Sequence, residues 1–231
     1  EDTSPLPKSL VKLEERLRKF PVTAKQLELF IKLKVGYNLT SLKTIKTPED
    51  YYDQTYLKRC EILQVPKLNT FALCKTIVMK NKKFKESLAT DPSYPLFIGV
   101  IVQYETKLSS SKLSDLMKKY QNENTKTGTK AAKKVFHYRV CSEEESREIT
   151  KCDFNGVTPF EWNNEVPKKI LNTPEGVDLG KIPMVLSDKI LELEGGYFYL
   201  GAGEMVTKFG ISVDDFMKYH KDNVIVGNIC E

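Results

Sequence analysis

The segment Phe71-Ala72-Leu73-Cys74-Lys75-Thr76-Ile77-Val78-Met79 decides the fold. It is rich in isoleucine, valine and phenylalanine, and apolar or small on both faces, which predicts a strand covered on both sides. A polar turn, Lys80 to Lys85, follows it. Leu96 to Tyr104, bounded by Pro92 and Pro95, predicts a second buried strand. Ile182 to Leu186, Tyr197 to Leu200, Val135 to Val140 and Val224 to Ile229 supply further strand candidates. Helical patterns fall between them without a regular βαβ rhythm, so the expected class is α/β with a mixed sheet.

Lys75 interrupts the apolar pattern of the first strand, with Phe71, Leu73, Ile77 and Met79 on its own side. A lone ammonium there is costly unless it reaches an anion, a cluster of carbonyls or water. One reading is a strand-end lysine that snorkels to solvent or pairs with a carboxylate. The preferred reading is a site lysine facing a cleft.

The helices begin at recognisable caps. Ser9 precedes Leu10, Leu13, Leu17 and Phe20 on one face, and Pro21 interrupts that helix. Thr23 and Gln26 form a capping-box pattern ahead of Leu27, Phe30 and Ile31, with a stop near Gly36. Residues 1–36 therefore read as a helical hairpin docked on a larger domain, 37–231. Thr47-Pro48-Glu49-Asp50 predicts a helix running to about Cys60, with threonine as its cap. Ser109 to Ser111 lead into a helix carrying Leu113, Leu116, Met117 and Tyr120, and Ser142 caps the acidic turn Glu143 to Glu145. Ser212 caps a last helix with Val213, Phe216 and Met217.

Residues 107–134 read as a helix followed by a mobile basic surface insertion carrying Lys126, Lys130, Lys133 and Lys134. The histidines do not suggest catalysis. His220 is expected at the surface after the last helix, and His137 as a satisfied structural side chain.

Composition narrows the possibilities. The chain has 231 residues, of which 40% are hydrophobic, enough to build a core. Its longest apolar run, Leu96 to Val102, is far below the roughly 20 residues that cross a bilayer. No charged-then-apolar leader is visible, so secretion is not expected. Its five cysteines lack C-x-x-C spacing, which argues against a disulfide scaffold or structural zinc and for a reducing, cytoplasmic setting. The net charge of +5 is too small to name a nucleic-acid partner by itself. The opening Glu1 and the end at Cys230-Glu231 suit either a free-standing protein or a piece of a larger one.

Asn155-Gly156-Val157-Thr158-Pro159-Phe160 predicts a rigid turn that exposes backbone groups able to hold a small ligand. Alone it is only a turn. Gly201-Ala202-Gly203 follows a strand, where a ligand or another loop could approach the backbone closely. It lacks the third glycine of a dinucleotide fingerprint. Gly195-Gly196 reads as a hairpin turn.

Taken in order, Leu73 to Val78, Asn155 to Phe160, Ile182 to Ser187 and Phe198 to Gly203 resemble the YbaK/prolyl-tRNA-synthetase-associated editing domains. The similarity spans roughly Tyr37 to Ile229. It implies a mixed, partly barrel-shaped sheet with flanking helices, and hydrolysis of the ester joining a wrong amino acid to tRNA. It further implies that Lys75 is the principal functional side chain and that Asn155 to Pro159 contact and size the aminoacyl group. Asn155 stands where the family has glycine, and asparagine tolerates a left-handed backbone. Aminoacyl-tRNA and a prolyl-tRNA synthetase, in cis or in trans, are the implied partners, with no cofactor, no metal and no membrane. The competing class is a binding module that keeps the fold without hydrolysis.

Overall fold

The computed structural model describes residues 23–162 and 182–231. The helix expected from Leu10 to Phe20 lies outside the described residues.

Two sheets organise the chain. The larger has the order β4 (Tyr138–Val140), β2 (Cys74–Asn81), β3 (Phe97–Gln103), β5 (Met184–Ser187), β8 (Val224–Gly227). β2 is antiparallel to β3 and β4, whereas β5 runs parallel to both β3 and β8, so the sheet is mixed. The smaller sheet has the order β1 (Lys43–Lys46), β7 (Thr207–Ser212), β6 (Tyr197–Gly201), all antiparallel neighbours. A single parallel bridge from Leu73 to Tyr199 ties the two together. Among the described residues the sheets do not close into a barrel.

Central strand β3 is buried along its whole length, as its unbroken apolar run requires. Ile98, Val100 and Val102 pack on one side with Leu113 and Met117 of α3 (Ser110–Asn124). Ile101 faces the other way, into a core with Met184, Phe198, Phe209 and Phe216. Phe216 belongs to α5 (Val213–His220), which Ser212 caps by accepting the N–H of Asp215 at 3.2 Å. α1 (Ala24–Ile31) starts at Thr23, which accepts from the Gln26 N–H. The Gln26 side chain does not reciprocate; it is buried and donates to the carbonyl of Ala202 at 3.2 Å.

Two sequence expectations shift. The helix predicted from Thr47 to Cys60 is split into a 3-10 turn, Glu49–Asp53, and α2 (Tyr56–Leu63). Thr55 caps α2, whereas the expected Thr47 cap is not made, since Pro48 stands at the start of the 3-10 turn and no side chain caps it. The first strand begins at Cys74, because Thr70–Ala72 form a 3-10 turn; Phe71 is half exposed and does not share a strand face with Lys75.

Residues 125–135 are tied to the domain at several points. Gln121 is fully buried and donates to the Thr129 carbonyl at 2.8 Å while accepting the Ala131 N–H at 2.9 Å. The hydroxyl of Thr125 donates to Asp91 at 2.6 Å, and Ala131 and Val135 enter the core beside α3.

Candidate functional site

A cleft of about 520 Å³ opens where the two sheets meet, a volume in the range of small-molecule sites. β2 contributes Lys75 and Ile77, both half-buried, from the start of the strand. β6 and β7 contribute Tyr199, Gly201 and Lys208. The 3-10 turn and α2 bring Tyr51, Tyr52, Tyr56 and Arg59. The Asn155 loop closes another wall through Asn155 and Val157. α4 (Glu143–Thr150) stands at the mouth, with Glu143 and Arg147 paired at 3.3 Å.

Lys75 thus lies in the same cleft as the loop, its Nζ 5.2 Å from the centre of the Tyr104 ring. The loop is built largely from backbone. Asn155 adopts φ +60°, the left-handed conformation that asparagine accepts. Its carbonyl accepts a hydrogen bond from the Tyr52 hydroxyl. The carbonyl of Gly156 accepts the Gly203 N–H at 2.7 Å, and the Asp153 N–H donates to the Gly203 carbonyl at 3.0 Å. The close approach foreseen at Gly201-Ala202-Gly203 is therefore made by this loop.

The predicted residues divide by position. Lys75, Asn155, Val157 and Gly201 line the cleft. Gly156 is buried against Glu204, where a β-carbon would lie 2.7 Å from backbone. Thr158, Ala202 and Gly203 line a separate cavity of about 120 Å³, together with Gln26 and Phe160. Pro159 is buried and lines neither. Lys126, Lys130, Lys133 and Lys134 are exposed, and Lys133 meets Asp115 at 2.7 Å. They belong to the other end of β2, where Asn81 donates to the Val135 carbonyl at 2.8 Å. Six residues of extended strand, about 20 Å, separate Asn81 from Lys75.

Sequence reading missed the cationic and aromatic lining. Arg59 stands 5.2 to 5.5 Å from the ring centres of Tyr51, Tyr52, Tyr56 and Tyr104. Its Nε donates to the carbonyls of Tyr51 and Gln54 at 3.1 Å, which fixes the turn carrying the tyrosines. Lys208 is 3% exposed, with Nζ 4.7 Å from the Tyr52 ring centre. Burial, and then the nearby Arg59 guanidinium, bring its pKa down to about 7. The closely spaced Tyr51, Tyr52 and Tyr56 were the available signal.

The cleft's thiols are poor nucleophiles. Burial pushes Cys141 up to about 12 and raises Cys74 and Cys152 as well, so all three stay protonated at neutral pH. His220 is not at the surface: it is 7% exposed, with its ring 4.4 Å from that of Phe216. The apolar packing of α5 against Phe160 takes it inward. What the cleft offers a substrate is fixed positive charge, aromatic faces, phenol hydroxyls and loop backbone. Among the described residues no group of three or more His, Cys, Asp or Glu side chains is arranged to hold a metal ion. No described helix is long and apolar enough to cross a membrane.

Fold and cleft together define a mixed α/β domain with a cationic, tyrosine-lined pocket between two sheets. In fold the chain is similar to a crystal structure of a candidate trans-editing enzyme for prolyl-tRNA synthetase, at 14% identity over 91% of this chain and 99% of that one, with a TM-score of 0.60. A structure from work on computational epitope grafting onto scaffold proteins aligns at 12% identity over 91% and 99%, with a TM-score of 0.57. A hypothetical protein aligns at 15% identity over 89% and 99%, with a TM-score of 0.53. At such identities the likeness is one of fold. No family model and no curated protein matches the chain.

Proposed function

We propose that the chain hydrolyses the ester bond of mischarged aminoacyl-tRNA, with tRNA(Pro) bearing alanine or cysteine as the substrate class. The observation that carries this reading is the cleft shared by the Lys75 ammonium and the Asn155–Val157 backbone. The fold likeness to a candidate trans-editing enzyme supports it.

An aminoacyl ester is already activated, so positioning and charge stabilisation suffice. Water adds to the ester carbonyl, and the resulting oxyanion lies against the Lys75 ammonium. Collapse of the tetrahedral intermediate expels the ribose oxygen, which takes up a proton, and free amino acid and tRNA leave. The loop backbone fixes the amino-acid end and limits side-chain size. Exposed Lys126, Lys130 and Lys134, with Lys133 beside Asp115, serve as contacts for the tRNA backbone. A prolyl-tRNA synthetase, in cis or in trans, is the natural source of the substrate.

The test is release of amino acid from tRNA(Pro) charged with alanine or cysteine. Wild type releases it, and Lys75→Ala is slowed by about 100-fold or more, the scale of losing one oxyanion-stabilising group. If no mischarged tRNA is hydrolysed while tRNA still binds, the chain is a non-catalytic binding module.

A further inference from the structure

The cleft carries more positive charge than ester hydrolysis demands. Arg59 and Lys208 are 7% and 3% exposed, and among the described residues neither is paired with a carboxylate. Arg59 satisfies part of its fork on the carbonyls of Tyr51, Gln54 and Tyr52. Lys208 donates to the Met205 carbonyl at 2.6 Å. Both still border the open cleft. The two cations are near enough that Arg59 helps to depress the Lys208 pKa, a repulsion that an incoming anion relieves.

The surroundings select the kind of anion. The ammonium of Lys208 stands over the rings of Tyr52 and Tyr51, and the Arg59 guanidinium lies within 5.5 Å of the Tyr104 ring centre. Aromatic faces beside buried cations suit a phosphate that has a flat base attached, since any base can stack on such a ring. Two carboxylates line the cleft: Glu143 on α4 is engaged with Arg147, and Asp153 is exposed beside the Asn155 loop. We infer that Arg59 and Lys208 form a subsite for a phosphodiester of a nucleic-acid 3′ end, with the adjoining base against the tyrosine rings. This rests on reading the cleft as the site for a tRNA terminus, and it leaves Lys75 to the acyl end, beside the loop.

Calorimetric titration of the full chain at pH 6.5 tests it, with cytidylyl-(3′→5′)-adenosine and its uncharged methylphosphonate analogue as the probes. Wild type binds the charged dinucleotide about tenfold more tightly or better, the scale of a charge-assisted contact. Lys208→Met reduces that ratio to about threefold or less, while Lys75→Ala keeps most of it. Arg59→Gln is the less secure variant because Arg59 also holds the turn, so Lys208→Met decides. Equal affinity for the two probes, no binding of either, or a charge preference abolished by Lys75→Ala but kept by Lys208→Met would each overturn the inference. Charge-dependent binding without hydrolysis of any mischarged tRNA keeps the subsite and removes the hydrolytic reading. Hydrolysis with equal binding of both probes does the reverse.

Discussion

A β-carbon on Gly201 would lie 2.6 Å from the carbonyl oxygen of Gly156 and closer still to that of Val157. The end of β6 thereby sets the height of the loop above the cleft floor, and the Gly203-to-Gly156 hydrogen bond fastens it there. Gly201→Ala must push the loop outward, since both clashing atoms are backbone. The expected cost is about 1–3 kcal/mol of stability, read by denaturant unfolding. Because the loop moves relative to Lys75, deacylation should also drop by about tenfold or more, the scale of misplacing a substrate by an ångström. Unchanged stability and unchanged turnover would show that the loop is not seated by this contact.

Lys208 links the site to stability. Its folded pKa of about 7 lies below the ordinary lysine value of 10.5. Between those values the unfolded chain binds the extra proton, so the Lys208 share of stability rises as pH goes from 7 toward 10. Below 7 both states are charged and the burial penalty is constant. The buried thiols act in the opposite sense from about pH 8–9 and the buried tyrosines from about 10, because Cys60, Cys74, Cys141, Cys152, Tyr51, Tyr52 and Tyr197 are held protonated in the fold. Stability measured by urea unfolding should therefore peak on the mildly alkaline side, at about pH 8–9, where the unfolded thiols begin to ionise. Lys208→Met should flatten the rise and be more stable than wild type at pH 7, by on the order of 1–3 kcal/mol. A variant less stable at pH 7 would mean that the ammonium's carbonyl contacts outweigh its desolvation.

What the sequence made legible was local or periodic. The Ser142 capping box, the unbroken apolar run of β3 and the left-handed turn at Asn155 depend on neighbours along the chain, and each appears where its pattern lies. Lys75 could be singled out because a charge inside an apolar strand is costly wherever the strand goes. Lys208 carries no such mark. It sits among Thr207, Phe209 and Gly210, and its burial comes from Tyr51 and Tyr52, more than 150 residues earlier. His220 was misplaced for a related reason. Its charged sequence neighbours Lys218 and Lys221 suggest a surface, but the ring points inward, toward Phe160 and Phe216.

His220 gives a second titration, on the acid side. Burial among aromatic rings lowers its pKa from 6.5 to about 4, and its Nε2 has no hydrogen-bond partner among the described residues. Its share of stability is present above 6.5 and is lost as pH falls through about 4, because the unfolded chain takes the proton first. The drop attributable to this group is about 2–3 kcal/mol. His220→Leu should remove the slope between pH 6.5 and 4.5. Below that, Glu161, Glu145 and Asp91, all with lowered values, add their own loss. A wild-type curve already flat from 6.5 to 4.5 would place a hydrogen-bonding or charged partner on the ring.

The exposed lysines of the segment after α3 separate tRNA docking from occupation of the cleft. Their segment joins the domain at Val135, whose carbonyl meets Asn81, the end of β2 that lies about 20 Å of extended strand from Lys75, so they are not expected to touch a terminal nucleotide bound beside Lys75. A tRNA that enters with its acceptor end could still lay its backbone across them. The triple change Lys126→Glu, Lys130→Glu and Lys134→Glu should then weaken whole-tRNA binding. It should also reduce the slope of log affinity against log salt by about 2–3, one counterion's worth per lost phosphate contact. Cytidylyl-adenosine should bind this variant as it binds wild type, because the Arg59–Lys208 subsite is untouched. Lys133 is left alone in this design, since its pairing with Asp115 makes its loss partly structural. An unchanged salt slope would remove this face from the tRNA path and leave the cleft as the place where nucleic acid is held.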